Sequence, residues 1–164
     1  MNEWILVFPY EKGDVVARFT ERGLRQLDLG PVVSPPENGD GCPQSVRAWM
    51  KTFRRQLERY FAGKPEDFSG IPLDLDGATA FRRSVWETAR GVPWGVASSY
   101  GDLARRMGRA KGSSRAVGQA LGSNPIAIVI PCHRFLASDG SLGGFSCGLP
   151  WKEELLRLEG IRTI

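Results

Sequence analysis

Two neighbouring residues of this chain are the best candidates for covalent chemistry: Cys132 and His133, the latter the only histidine among 164 residues. They follow Pro131 and an apolar run, residues 126–130, whose composition is typical of a buried β-strand. Because proline cannot donate a hydrogen bond to a sheet, we expect the strand to end there and the cysteine to emerge in a turn. A cysteine attacks as its thiolate, and since its ordinary pKa is about 8.5, it needs a nearby base or positive charge at neutral pH. The pattern therefore predicts a nucleophilic cysteine assisted by a histidine.

The same two residues also admit a purely structural interpretation. Cysteines at the ends of apolar strands are commonly inert members of the core, and a single histidine is often no more than a hydrogen-bonded core residue. Adjacent residues of an extended segment point to opposite faces, so His133 would reach Cys132 through a turn or a bridging water. The sequence around the pair has to decide between the two interpretations.

Three groups of residues surround Cys132 in a fixed order. The first is SYGDLA at residues 99–104, and the second is RAVGQA at residues 115–120, followed by Asn124 and Pro125. The third is PCHR at residues 131–134, followed by GGFS at residues 143–146 and LEG at residues 158–160. From about residue 81 to residue 160, the chain resembles the O6-alkylguanine-DNA alkyltransferases, also called methylated-DNA–protein cysteine methyltransferases.

The resemblance implies an activity and four catalytic residues. An alkyl group on guanine O6 would be transferred irreversibly to Cys132, so each chain would act once and would need no cofactor. His133 and Glu159 match the residues that generate the thiolate, and the acid is otherwise poorly placed at the C-terminus of a helix. Tyr100 matches a tyrosine that donates a proton or a hydrogen bond to the departing guanine. The alternative is that Tyr100 is a half-buried aromatic residue with a packing role only.

The resemblance also implies which residues surround the alkylated base. Ser146 would contact the O6 side, and the backbone carbonyls of Cys132 and Phe135 would read the guanine amino group. Asn124 would bridge the cysteine turn and the recognition helix, which is the predicted helix that ends at Gly122. Phe135 replaces the usual valine, and Cys147 stands where glycine is common. Because a side chain fills space that glycine leaves open, we expect Cys147 to narrow the pocket and to favour O6-methylguanine over O6-benzylguanine. The alternative is that Cys147 points to solvent and is a bystander.

Residues 99–122 have the pattern of a helix-turn-helix. Ser99 and Asp102 form a capping box for a helix that ends at Gly108, and a basic turn leads to a second helix that ends at Gly122. The second helix is rich in alanine and glycine, which would let a groove approach closely. In the resembling family it enters the minor groove. The DNA-binding residues implied are Tyr100, Arg115, Ala116 and Gln119, with Arg115 filling the space left by a flipped nucleotide.

Charge and cysteine content agree with a DNA-binding protein of a reducing compartment. Residues 81–164 hold 12 basic and 6 acidic side chains, whereas residues 1–80 hold 10 basic and 12 acidic ones. The second half is therefore the candidate for binding double-stranded DNA. Three cysteines and no secretory or membrane-spanning stretch favour a cytoplasmic location, and a single histidine with scattered cysteines excludes a four-ligand zinc site. We expect a monomer with no metal and no membrane partner.

The elements that must position these residues indicate a mixed α/β (α+β) fold with two domains. Strands are predicted at residues 4–8, 14–19 and 24–29, a loop at residues 31–44, and an amphipathic helix from Val46 to Phe61. Residues 64–78 are rich in proline and glycine and look like a connector. A helix capped by Thr79 then opens the second half. We therefore expect a small N-terminal domain over residues 1–77 and a mostly helical domain, with the helix-turn-helix and the reactive cysteine, over residues 78–164.

Two other functions remain open. Alkyltransferase-like proteins sense DNA damage without catalysis and replace the reactive cysteine, commonly with tryptophan, so Cys132 argues against that class. A cysteine hydrolase could also use Cys132 and His133. Hydrolytic pairs of this kind, however, usually come from distant positions and need an oxyanion hole, which the sequence does not reveal.

Overall fold

Three strands form an antiparallel sheet in the order β1-β2-β3: β1 (Trp4–Phe8), β2 (Asp14–Thr20) and β3 (Gly23–Gly30). Alternate residues of β2 face the core, where Val15 and Phe19 have no exposed surface. All three predicted strands are confirmed, with ends that differ by at most one residue. The structure is a computed structural model that describes residues 2–31, 41–110 and 112–163.

Helix α1 (Gln44–Phe61) packs against the sheet through β1 and β2. Its buried stripe includes Phe53, Leu57 and Tyr60, and the ring of Phe53 meets that of Phe19 edge-on. This confirms the predicted amphipathic helix. Most of the predicted loop before it, residues 32–40, lies outside the described residues. In the described part of the chain, no helix combines the length and the apolarity needed to cross a membrane.

Three helices form the first part of the C-terminal half: α2 (Ala80–Ala89), α3 (Tyr100–Arg106) and α4 (Ser114–Gly122). Helices α3 and α4 pack together and both contact α2, as expected of a helix-turn-helix. The indole Nε1 of Trp86 donates a hydrogen bond of 2.8 Å to the carbonyl oxygen of Ala120, which fixes α4 on α2.

The predicted N-caps of α2 and α3 are confirmed. The Thr79 and Ser99 hydroxyls accept hydrogen bonds from the backbone N–H groups of Arg82 and Asp102. The Asp102 carboxylate, however, pairs with Arg105 on the same helix.

A short parallel strand pair brings the start of α3 to the cysteine. Strand β4 (Ser98–Ser99) pairs with β5 (Phe135–Leu136), so that Ser98 lies opposite Phe135. Tyr100 directly follows β4, and the 3₁₀ turn Cys132–Arg134 directly precedes β5. Two residues that are far apart in the sequence therefore flank the same short strand pair, one after its end and one before its start.

The last helix, α5 (Leu149–Leu158), packs on the 3₁₀ turn, and Glu159 is its C-cap residue. It also joins the two halves, because the Tyr10 hydroxyl donates a hydrogen bond of 2.7 Å to Glu154. A second link is a hydrogen bond of 2.9 Å from the Leu27 N–H in β3 to the carbonyl oxygen of Pro125. The buried side chains of both halves form one continuous core.

The predicted strand over residues 126–130 is wrong. Apart from a single bridge between Ile126 and Leu27, the segment is a tight turn closed by its own backbone: the Ile130 N–H donates to the Ile126 carbonyl oxygen at 3.0 Å. Ile128 has a φ of 71°, a left-handed conformation that β-branched residues rarely adopt. The run is apolar because it is buried on all sides, and burial alone does not distinguish a turn from a strand.

Candidate active site

Cys132 lies at the start of the 3₁₀ turn with 9% of its surface exposed. The side-chain amide of Asn124 holds it in place: Nδ2 donates to the Cys132 sulfur at 3.3 Å and to the Ile130 carbonyl oxygen at 2.8 Å. The Asn124 Oδ1 in turn accepts from the Ile126 N–H at 2.8 Å. All three side-chain contacts are to the cysteine turn. The Asn124 backbone N–H donates to the Leu121 carbonyl oxygen of α4 at 3.1 Å, so Asn124 links the recognition helix to the cysteine turn and positions the thiol.

The sulfur borders an open cavity of about 260 Å³. One wall comes from α4 and another from the loop between β5 and α5. The lining residues are Tyr100, Gly118, Leu121, Gly122, Cys132, Gly144, Phe145 and Ser146. Glycines and apolar side chains make up most of this surface, and a few polar groups converge on it, as is typical of pockets for flat organic molecules.

The ring of Tyr100 forms part of the cavity wall. It lies almost parallel to the Phe135 ring, with centroids 6.5 Å apart, and it is half-buried. Burial, with a smaller contribution from Cys132, raises the pKa of Tyr100 above its ordinary value. The phenol is therefore neutral at physiological pH and can donate a hydrogen bond into the cavity.

His133 and Glu159 form a completely buried pair behind Cys132. The imidazole Nε2 is hydrogen-bonded to Glu159 Oε2. Arg134 Nε donates to Oε1 of the same carboxylate at 2.7 Å, and the Gly95 N–H donates to it at 3.2 Å. These donors explain how an acid can cap the C-terminus of α5. Arg134 also donates to the Val92 carbonyl oxygen at 2.6 Å, which ties the 3₁₀ turn to the loop after α2.

The acid–base states of the pair follow from burial and from these contacts. Burial lowers the pKa of His133 more than Glu159 raises it, so the imidazole is neutral. Burial alone would raise the pKa of Glu159, but its contacts with His133 and Arg134 outweigh burial and hold the pKa at about 2. Burial raises the pKa of Cys132 to about 11, partly offset by the Asn124 hydrogen bond. The resting site therefore holds a neutral thiol, a neutral imidazole and a carboxylate anion.

Lys152 secures the loop that closes the cavity. Its side chain has no exposed surface, and Nζ donates to the carbonyl oxygens of Phe135 (2.8 Å), Leu142 and Gly144 (3.2 Å). Burial lowers the pKa of Lys152 to about 8, which leaves the ammonium charged at neutral pH. A buried cation thus fixes three carbonyl groups of the segment 135–144.

The other residues expected around the base are only partly brought together. Ser146 lines the cavity. The Phe135 side chain is buried, and its carbonyl oxygen already accepts from Lys152, while the Cys132 carbonyl oxygen accepts from the Phe135 N–H. Each carbonyl keeps a second lone pair for a ligand.

Cys147 does not line the cavity. It is half-buried, packs against the core and faces the backbone of Leu29 in β3. The expectation that its side chain narrows the pocket is therefore wrong, because the loop directs it toward the sheet. It is not the solvent-exposed bystander of the alternative either.

The candidate DNA-binding residues of α4 share one face beside the cavity. Arg115, Ala116 and Gln119 are exposed, whereas Val117 and Ala120 are buried against α2 and α3. Gly118, between them, belongs to the cavity wall. Arg115 makes no hydrogen bond or ion pair to any described residue. The exposed guanidinium is thus free to contact a ligand beside the helix that forms one wall of the cavity.

Two residues of the site escaped the sequence analysis. Tyr60 donates a hydrogen bond of 2.6 Å to Glu159 Oε2, yet in the sequence it is one more aromatic of the buried stripe of α1. Lys152 stands in a helical pattern where a lysine would normally be exposed. Among the described residues, no group of three or more histidine, cysteine, aspartate or glutamate side chains could hold a metal ion.

Family comparison covers most of the chain. Residues 80–161 match the family model "6-O-methylguanine DNA methyltransferase, DNA binding domain", and residues 15–75 match "6-O-methylguanine DNA methyltransferase, ribonuclease-like domain". A methylated-DNA–protein-cysteine methyltransferase of Haemophilus influenzae is 51% identical over 111 residues, which cover 68% of this chain but 61% of that protein, less than two thirds of its length. One of Methanosarcina acetivorans is 37% identical over 154 residues, covering 94% of this chain and 96% of that protein.

Two solved structures share the fold over nearly the whole chain. The crystal structure of Mycobacterium tuberculosis O6-methylguanine methyltransferase is 32% identical, has a TM-score of 0.75, and covers 96% of this chain and 92% of that one. The structure of Mycobacterium tuberculosis OGT in complex with DNA is 33% identical, has a TM-score of 0.77, and covers 95% and 92%. The mixed fold expected from the sequence is confirmed.

Proposed function

Because this chain belongs to the 6-O-methylguanine DNA methyltransferase family, we propose that it repairs O6-alkylguanine in double-stranded DNA by transferring the alkyl group to its own Cys132. The observation that carries the proposal is the position of the Cys132 sulfur, which borders a cavity while a neutral histidine and its carboxylate lie behind it. A nucleophile, a base and a site for a flat ring occur together.

Thiolate formation is the first requirement of the reaction. The thiol is protonated at rest, so its proton must move to His133 as the substrate arrives. The Nδ1 atom of His133 is buried and has no hydrogen-bond partner among the described residues, so it is the atom open to that proton, directly or through a water. Glu159, already anionic, stabilises the imidazolium that results.

Alkyl transfer then exchanges one bond for another. The sulfur attacks the alkyl carbon in line, an S–C bond forms, and the C–O6 bond breaks with its electron pair leaving on guanine. Tyr100, neutral and in the cavity wall, donates a hydrogen bond or proton to the guanine ring as this charge develops. The proton held by His133 balances the proton that guanine takes up. The product is a thioether, so the protein acts once and uses no cofactor.

Access to the base requires it to leave the double helix, because a protein thiol cannot reach O6 inside the base stack. The exposed face of α4 is proposed to lie in a groove, with Arg115 filling the space of the flipped nucleotide and Ala116 and Gln119 in contact with the backbone. The cavity beside this face receives the base, with Ser146 near O6. We propose that the chain has two domains, residues 1–77 and residues 78–164. The protein acts as a monomer in the cytoplasm.

Intact-mass measurement after incubation with a duplex oligonucleotide containing O6-methylguanine tests the function. One added methyl group per chain, mapped to Cys132, is the expected result. Tight binding without a mass change would favour the damage-sensing class instead. An amide or ester substrate hydrolysed with repeated turnover and no mass change would favour the cysteine hydrolase.

A further inference from the structure

A tyrosine from the N-terminal half completes the hydrogen bonds of the buried His133–Glu159 pair. Tyr60 lies in the last turn of α1 with no exposed surface. Its hydroxyl donates to Glu159 Oε2 at 2.6 Å and lies 3.4 Å from His133 Nε2. We infer that Tyr60 is a positioning residue for alkyl transfer, which fixes the Glu159 carboxylate so that His133 keeps its proton on Nε2 and offers Nδ1 as the base. The inference rests on the proposed function.

The assignment of the protons follows from counting donors and acceptors. Burial, and then the neighbouring Glu159 anion, raise the pKa of Tyr60 well above its ordinary value, so the phenol keeps its one proton and gives it to Glu159. The lone pairs of the phenol oxygen are then left for His133 Nε2. That nitrogen is faced by two acceptors and must carry a proton. A neutral imidazole has only one such proton, so Nδ1 is bare.

The carboxylate is held from opposite sides. Arg134 and the Gly95 N–H bind Oε1, while Tyr60 and His133 share Oε2. The charged groups that act on His133 are Glu159 at the end of α5, Lys152 within α5 and Arg134 in the 3₁₀ turn. Tyr60, from α1, is a neutral hydrogen-bond donor beside these charged groups. Removing its hydroxyl would leave Oε2 to His133 alone and free the carboxylate to turn or to accept a proton.

The variant Tyr60→Phe removes the hydroxyl and keeps the ring that packs on Phe68 and Trp94. The measurement is the single-turnover rate of methyl transfer from the O6-methylguanine duplex between pH 6 and pH 10, read by intact mass. We expect a rate about tenfold to a hundredfold lower at pH 7, the effect of one hydrogen bond to a charged group. The loss of rate should shrink as pH rises, because hydroxide can then deprotonate the thiol without the histidine.

Tyr10→Phe is the matched control. Tyr10 also belongs to the N-terminal half and also donates to a carboxylate of α5, but its partner, Glu154, makes no contact with His133. Its pH profile should match that of the native chain. A deficit in Tyr60→Phe that is the same at every pH, or that Tyr10→Phe reproduces, would overturn the inference and leave Tyr60 a structural residue.

Nitrogen-15 NMR of the histidine ring gives a second test that does not require the variant to fold. The chain has one histidine, so its ring signals need no assignment. We expect the Nε2–H form at neutral pH, and a Nδ1–H form in the native chain would refute the inference. If the native chain fails to acquire a methyl group, the proposed function is wrong, whereas native transfer with an unaltered Tyr60→Phe profile rejects only the role of Tyr60.

Discussion

The side-chain amide of Asn124 reaches across the turn that it helps to close and lies 3.3 Å from the sulfur of Cys132. One residue thereby fixes both the backbone of the segment 126–130 and the direction of the thiol. The amide hydrogen bond also favours the thiolate, in opposition to burial. The reactive atom is thus positioned by the structure before any substrate arrives, and the remaining step is removal of its proton.

Cys132→Ala should abolish alkyl transfer and leave affinity for DNA nearly unchanged. Affinity should come from phosphate and groove contacts of the second half, which do not involve the thiol. Intact mass measures transfer, and fluorescence anisotropy with a labelled duplex measures binding. Cys42→Ala and Cys147→Ala are the controls, and both should still be alkylated. Alkylation of the Cys132→Ala protein at either of those residues would disprove the assignment of the nucleophile.

Arg115→Ala should slow repair of duplex DNA much more than reaction with a free O6-alkylguanine base. The side chain is exposed next to the cavity and does not line it, so it can stabilise a flipped nucleotide but cannot touch the reacting atoms. Single-turnover rates with both substrates give the comparison. Arg47→Ala, on the exposed face of α1, should change neither rate. Equal losses on the two substrates would reduce Arg115 to structural support.

Cys147→Gly should leave the ratio of methyl to benzyl transfer rates unchanged, because the side chain faces Leu29 outside the cavity. Gly118→Val is the contrasting variant: Gly118 lines the cavity, and a Cβ atom there would lie 3.6 Å from the Tyr100 ring. Its larger side chain should slow reaction with free O6-benzylguanine more than with free O6-methylguanine, by about tenfold if overpacking costs about 1 to 2 kcal/mol. A ratio that shifts in Cys147→Gly would show that this side chain reaches the pocket after all.

The stability of the protein should fall steeply in acid, and Glu159 should account for much of the loss. Its pKa is lowered from 4.5 to about 2 in the folded chain, so its contribution is present above pH 4.5 and is lost as the pH falls toward 2. The size of the shift corresponds to about 3 kcal/mol. The pKa of His133 in the folded chain lies below 6.5. It therefore adds a further loss of folding stability as the pH falls below 6.5.

Denaturant unfolding from pH 7 to pH 2 measures this dependence. Glu159→Gln should be less stable at pH 7 and should show a shallower slope below pH 4.5. Glu153→Gln, an exposed acid of the same helix, should follow the native curve. Parallel curves for the native chain and Glu159→Gln below pH 4.5 would contradict the prediction.

Regular elements of the fold could be predicted where the sequence carries a period or a cap. Alternating apolar residues indicated β2, and Thr79 and Ser99 indicated where α2 and α3 begin. The strand prediction for residues 126–130 was wrong because every residue in the segment is buried. Complete burial removes the alternation of buried and exposed residues that distinguishes a strand from a turn. Which residues pack against one another after folding has no local signature, and the wrong prediction for Cys147 has this origin.

The residues of the candidate site also fall into two groups, those that the sequence indicates and those that only the structure reveals. Cys132, His133 and Glu159 could be proposed because motifs mark them, and the structure places them together. Tyr60 is separated from Glu159 by 99 positions and belongs to a helix whose aromatic stripe already has a packing explanation. Lys152 looks like a surface residue until the three carbonyl oxygens around it are seen. Both follow from tertiary contacts alone.

The four donors around Glu159 restrict which residues position 159 can tolerate. They come from α1, from the loop after α2 and from the 3₁₀ turn, so both oxygens must extend a fixed distance from the end of α5. Aspartate keeps the charge but is one methylene shorter and would fall short of some donors. Glutamine has the length, but its amide N–H₂ would oppose the donors on one side. Natural variation at this position should therefore be narrower than at Cys147, even though Glu159 is buried and does not line the cavity.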